Sequence, residues 1–167
     1  MSDWPLVHSH ICTSLPETTS LARDVAQLLR AHDIVALTGT LGAGKTAFAR
    51  AVIQELADEA EDVPSPTYNL LITYDCPSKD FSIYHYDLYR VEQEDDVLEL
   101  DIDDAFEEGV SLIEWPDRMG HYLPREHLEI RIEAAETAPN DSRRISFYGN
   151  SHWAERLAVL AARHNNA

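Results

Sequence analysis

The chain has no long apolar run. Its longest purely aliphatic stretch, Ile34-Val35-Ala36-Leu37, falls far short of the ~20 apolar residues that a membrane-spanning helix needs. Cysteine is scarce: Cys12 and Cys76 are far apart and form neither a CxxC pair nor a zinc-ligand spacing. The opening residues Met1-Ser2-Asp3-Trp4-Pro5 carry no basic region and no apolar stretch, so no secretory leader is expected. Both thiols are then expected to be reduced, in a cytoplasmic protein. Basic residues are few, 13 Lys+Arg against 30 Asp+Glu, for a net charge of −17. A surface this acidic repels phosphate backbones, which argues against tight, direct nucleic-acid binding. No internal repeat and no low-complexity segment is present. The 167 residues, 44% hydrophobic and 26% charged, fit one globular domain spanning the chain. Disorder over its whole length is excluded.

Strand-like and helix-like patterns alternate, which points to an α/β layer structure. Residues 21–30 read as a helix on the spacing of Leu21, Val25, Leu28 and Leu29, with Thr18, Thr19 or Ser20 as its cap. Residues 33–38 read as a short buried strand. A Gly-rich turn follows, then a helix over 45–60 with Phe48, Val52, Ile53 and Leu56 inward. Strands are expected at 68–74 and 81–89, joined by turn chemistry at 76–80 into an antiparallel pair. Residues 92–108 hold ten acids and no base. With Leu98, Ile102, Ala105 and Phe106 at helical spacing, they read as one or two short helices with a negative outer face. Residues 110–113 form a buried strand. Residues 127–132 and 144–148 alternate like half-exposed strands and form a hairpin across Ala138-Pro139-Asn140-Asp141. A helix through Trp153, Leu157, Leu160 and Ala161 closes the chain, and 164–167 are expected to fray. His8-Ser9-His10 places two imidazoles on one strand face, too few for an expected metal site.

Gly39-Thr40-Leu41-Gly42-Ala43-Gly44-Lys45-Thr46 fits G-x-x-x-x-G-K-[ST] at every fixed position. It also follows a buried strand and opens a helix, as that motif requires. Glycines let the backbone curl so that several N–H groups face one phosphate chain, and the helix N-terminus adds its positive dipole end. Lys45 reaches the terminal phosphates as a flexible point charge, and Thr46 offers a hydroxyl to Mg²⁺. Lysine occurs only at Lys45 and Lys79, yet one stands where arginine would fit poorly. Local contacts must outweigh the acidic field; at about 0.15 M salt the Debye length is ~8 Å, so distant acids are screened.

Such a loop needs an acid for the metal and a group to place the attacking oxygen. Glu114 ends the strand at 110–113, and Asp87 ends the strand at 81–89, on the face of Phe81, Ile83 and His85. Glu114 is otherwise a solvated strand-end acid, Asp87 a salt-bridge partner of Arg90, and His85 a structural histidine. Trp115 reads as a packing residue. The stiff loop Val63-Pro64-Ser65-Pro66-Thr67-Tyr68 projects Ser65 and Thr67, either to sense the γ-phosphate or as a rigid connection. Asp101-Ile102-Asp103-Asp104 fails as an EF-hand, with Phe106 where Gly is required. Asp117-Arg118-Met119-Gly120 matches D-x-x-G, but no N-K-x-D reads guanine, so adenine is favoured. Arg143-Arg144 would point to opposite faces of a strand, which argues against a lid clamp.

Leu41-Gly42-Ala43-Gly44-Lys45-Thr46, Ser65-Pro66-Thr67-Tyr68, His85-Tyr86-Asp87-Leu88-Tyr89-Arg90 and Ile113-Glu114-Trp115-Pro116 together resemble the bacterial TsaE (YjeE) family over about residues 16–132. Thr40 departs from that family's usual acid, and the segment after Ala134 carries no recognisable motif. The resemblance implies a P-loop nucleotide-binding α/β fold, with a central mixed β-sheet flanked by helices. It implies binding of ATP and Mg²⁺, weak ATPase activity alone, and an accessory role in threonylcarbamoyladenosine modification of tRNA. The partners it implies are the TsaD and TsaB proteins, with ATP promoting docking and hydrolysis resetting the assembly. By position, Lys45 would hold the phosphates, Thr46 and Glu114 the metal, and Asp87 the metal or the attacking water. Thr67 would sit near the γ-phosphate, and residues 16–19 would border the adenine. The acidic 92–108 face would meet a basic partner surface or simply be solvated. A small-molecule kinase and a nucleotide-gated interaction module are the competing classes.

Overall fold

A computed structural model describes residues 3–57, 63, 64, 66, 69–136, 139 and 141–164. Seven strands form one mixed sheet: β1 (Leu6–Cys12), β2 (Ile34–Thr38), β3 (Leu71–Cys76), β4 (Phe81–Asp87), β5 (Val110–Glu114), β6 (Leu128–Ala134) and β7 (Arg143–Tyr148). Their order across the sheet is β1-β7-β6-β2-β5-β4-β3. The central ladders, β4–β5, β2–β5 and β2–β6, are parallel, while β3–β4, β6–β7 and β1–β7 are antiparallel. Both expected hairpins, β3–β4 and β6–β7, are therefore present. The helices are α1 (Leu15–Leu28), α2 (Lys45–Leu56), α3 (Ile102–Glu108) and α4 (Ser151–Arg163), with 3-10 helices at Glu94–Glu99 and Pro116–Tyr122.

The period-two alternation of strands sorts side chains to two faces. Val35 and Leu37 of β2 and Leu112 of β5 join Leu21, Val25, Phe48, Val52 and Leu157 in one core under α1, α2 and α4. Ile34 and Ile113 turn the other way and pack with Tyr86, Val97, Ile102 and Met119 beneath α3 and the 3-10 helices. Strands buried on both faces read as continuous apolar runs, which is why β2 and β5 were legible.

Several boundaries differ from expectation. Helix α1 begins six residues before Leu21, because Ser14 caps it: Glu17 N donates to Ser14 Oγ, while the Glu17 carboxylate accepts from Thr13 N at 2.6 Å. Pro16 sits in its first turn, where no N–H is needed. The apolar spacing starts late because Leu15 is 65% exposed. Strand β3 starts at Leu71, after a left-handed Leu70 (φ 60°), and β4 stops at Asp87. Leu98 points outward and Val97 takes its place in the core. Helix α2 ends at Leu56, short of the expected 60, because Ala57 turns to extended geometry and its N–H closes the last turn on the Ile53 carbonyl. The start of β3 at Tyr68, turn residues 138 and 140, and the fraying tail at 165–167 lie outside the described residues. Cys12 and Cys76 are both buried and are not joined in a disulfide. Among the described residues no helix is long and apolar enough to cross a membrane, and no cluster of three or more His, Cys, Asp or Glu is placed to hold a metal.

His8 and His10 on β1 face the end of α4, where the His10 and His164 rings lie 5.4 Å apart and His164 Nε2 meets Asp24 Oδ2 at 2.5 Å. Burial holds both His8 and His10 below the ordinary imidazole value of 6.5, and mutual repulsion with His164 adds to this; Glu17 opposes it at His10. A base whose folded pKa is lowered binds fewer protons folded than unfolded. Its neutral form therefore supports the fold above about pH 6.5, and that support is lost as pH falls. The melting temperature is expected to drop between pH 7 and pH 5, and to drop less in His8→Gln/His10→Gln. An equal drop in the variant would remove these imidazoles from the explanation.

Candidate functional site

Three neighbouring parallel strands, β2, β5 and β4, end at the same edge of the sheet, and ligand crevices in open α/β sheets form beyond such carboxyl ends. Thr38 leads into the glycine loop, and registers Leu37↔Glu114 and Asp87↔Glu114 bring the two strand-end acids side by side. The loop needs glycine at defined points. Gly39, Gly42 and Gly44 have φ of 148°, 78° and 115°, a region unfavourable to L side chains. A Cβ on Gly39 would also lie 2.4 Å from the Ile132 carbonyl oxygen.

Lys45 opens α2 and is only 5% exposed. Its Nζ donates to the Gly39 and Thr40 carbonyls, at 2.8 Å each, and lies 4.1 Å from the centre of the Trp115 ring. Burial lowers the ammonium's pKa, while Glu114, Asp87 and Asp117 act to raise it. Thr46 Oγ1 donates to Glu114 Oε1 at 2.6 Å. The other carboxylate oxygen meets His85 Nε2 at 2.7 Å. Glu114 is thus a buried acid, 2% exposed, held from both sides. His85 is fully buried and acts on Glu114 rather than on the cleft. Asp87 accepts from Tyr89 N at 3.2 Å. Its carboxyl pKa is raised, first by burial and further by Glu114, against the Tyr89 N–H, His85 and Lys45.

Lys45, Thr46, Asp87, Glu114 and Trp115 line one cleft of about 430 Å³. Trp115 takes a left-handed conformation (φ 59°) that turns its ring into the cleft wall against Tyr89, 4.9 Å between ring centres. It packs, as expected, and also forms a surface of the site. A second cavity of about 350 Å³ lies behind the same loop, between Gly42–Gly44, Thr13–Leu15, Thr18 and Arg143. Thr67 and Ser65 lie outside the described residues. The arrangement combines a curled amide cradle, one buried ammonium, and a hydroxyl beside a carboxylate. That donor set suits a phosphate chain and a hard divalent cation.

The family model described as "Threonylcarbamoyl adenosine biosynthesis protein TsaE" matches residues 12–145. The chain belongs to the TsaE family. Within the family, it is 40% identical over 141 residues to the tRNA threonylcarbamoyladenosine biosynthesis protein TsaE of Rickettsia conorii, covering 84% of this chain and 78% of that protein. It is 34% identical over 151 residues to the protein of the same name from Bacillus subtilis, covering 90% of each. The crystal structure of Bacillus subtilis YdiB superposes with a TM-score of 0.74 at 26% identity, covering 99% of this chain and all of that one. The TsaE match extends beyond residues 16–132 at both ends, and so includes the β7 residue Arg143.

Arg143 is the site residue that sequence reasoning passed over. Adjacent strand arginines do face opposite ways: Arg144 is exposed, whereas Arg143 Nε donates to the Ala43 carbonyl within the loop at 3.0 Å. The contact spans 100 residues, and no local pattern announces it.

Proposed function

We propose that this TsaE-family protein is a Mg²⁺-dependent ATPase that supports threonylcarbamoyladenosine modification of tRNA. In this proposal it works in the cytoplasm on a TsaD–TsaB pair, to allow repeated turnovers, without binding nucleic acid tightly itself. The observation that carries the ATPase assignment is the chain of contacts Lys45–loop carbonyls, Thr46–Glu114 and Glu114–His85. It joins the glycine loop to an acid from a distant strand.

The amides of Gly39–Thr46 (Gly39, Thr40, Leu41, Gly42, Ala43, Gly44, Lys45, Thr46) cradle the phosphates, and Lys45 supplies the positive charge at contact distance. Thr46 Oγ1 and Glu114 Oε1, 2.6 Å apart, are two adjacent hard oxygens, the pairing that Mg²⁺ accepts alongside phosphate oxygens and water. When bound there, such an ion would neutralise charge on the triphosphate. His85 holds the Glu114 carboxylate in place, as partners of ligating groups do. Asp87 faces the same cleft and supports the metal or orients the attacking water. Thr67 is assigned near the γ-phosphate on the family resemblance alone. The nucleoside is assigned to the cavity between Gly42–Gly44, Thr13–Leu15 and Thr18, whose lining includes one residue, Thr18, of the 16–19 segment that the resemblance places beside the adenine.

Steady-state ATP hydrolysis with and without purified TsaD and TsaB tests this. A rate stimulated by the pair, and lost in Lys45→Ala and Glu114→Ala, is the expected result. An unchanged rate with ATP-dependent complex formation would make the protein a nucleotide-gated module. Phosphorylation of an added metabolite would make it a kinase.

A further inference from the structure

The β6–β7 hairpin backs the glycine loop at three successive points. Before the loop, Thr38 Oγ1 donates to the buried Glu129 of β6 at 3.0 Å, and Glu129 is held in turn by Arg131 at 2.9 Å. At the start of the loop, Gly39 lies so close to the Ile132 carbonyl that no Cβ fits between them. Near its end, Arg143 donates to the Ala43 carbonyl. The N–H of the same Ala43 donates to Thr40 O at 3.1 Å, so this residue is fixed through both of its backbone polar groups. A trans peptide unit is planar, with its C=O and N–H pointing opposite ways. Anchoring the Ala43 carbonyl toward β7 therefore turns the Gly44 N–H away from β7. Gly44 can take this orientation because it holds φ 115° without a side chain.

We infer that Arg143 is a positioning residue for nucleotide binding: from β7 it fixes the Ala43–Gly44 peptide plane and so keeps the loop curled for phosphate, with Thr38–Glu129 as a second anchor. Given the nucleotide site proposed above, Arg143 acts through the loop and takes no part in the bond-breaking step. Because it also lines the cavity assigned to the nucleoside, Thr38→Val, outside that lining, separates an effect carried by the loop from direct contact. Its loss should weaken binding and spare turnover at saturation.

The test is titration of the full chain with a fluorescent ATP analogue in Mg²⁺, together with kcat and KM for ATP. Arg143→Gln is expected to raise Kd and KM about tenfold, the scale of one hydrogen bond from a charged donor, with kcat within about twofold. Arg144→Gln, on the opposite face, leaves both unchanged. Should Arg143→Gln not fold, the near-isosteric Thr38→Val carries the test. It is expected to show the same split at about tenfold, the scale of one hydrogen bond to a charged acceptor, here the Glu129 carboxylate. An unchanged Kd in the folded variant, or a loss confined to kcat, would overturn the positioning role. A wild-type chain that binds no nucleotide would instead overturn the proposed function.

Discussion

Lys45→Ala is expected to raise the dissociation constant for ATP on the order of a hundredfold or more, ending binding at micromolar concentrations. Bonds from an ammonium to phosphate oxygens are charge-assisted, worth about 1.5–3 kcal/mol each, and two of them reach a hundredfold in affinity. The loss does not stop there. Lys45 is the cation that faces Glu114, Asp87 and Asp117. Without it, a phosphate chain meets those three acids at distances too short for salt to screen, with Arg90 as a remaining cation of the cleft lining. Isothermal titration with ATP and Mg²⁺ reads the effect. Affinity within about threefold of wild type would mean that the glycine loop is not where nucleotide binds.

Asp87→Ala should do the opposite: ATP binding within about threefold of wild type, and partner-stimulated turnover lower by about 10²–10⁴, the range for a group that positions or deprotonates the attacking oxygen. Binding survives because the change removes an acid from an anion site. Stability separates this from a structural role. Burial above all raises the Asp87 carboxyl pKa. A carboxyl whose folded pKa lies above its unfolded one disfavours the fold once pH exceeds both values. At pH 7 the alanine variant should therefore melt no lower than wild type. Near-normal turnover with a lowered melting temperature would reassign Asp87 to an ion pair that holds β4.

What the sequence disclosed follows the range of the interaction involved. The glycine loop is an eight-residue motif, and the strand before it and helix after it are local patterns, so Gly39–Thr46 was legible. Asp87 and Glu114 were legible as acids ending apolar strands, because parallel strands deliver their ends to a common edge. The start of α1 was misplaced because its first turn is exposed and only its cap marks it, and Leu98 was misjudged because a 3-10 helix does not keep the 3.6-residue period. Arg143 was discounted because neither its spacing nor its neighbours reveal that β7 passes behind the loop. That fact belongs to the strand order, which depends on contacts among residues far apart in the chain.

The strand order also bears on how the protein matures. β1 leaves the ribosome before all the other strands of the sheet, and its ladder partner β7 after them. A nascent chain that has emerged only through β6 can pair β2, β4 and β5 and enclose the loop in part. Its amino-terminal strand then waits unpaired, and the backing of the loop through Arg143 is still to come. The cradle is complete only once β7 has been made, so folding intermediates that lack it should hold nucleotide poorly, and added ATP should stabilise the folded chain while doing little for one stalled before β7.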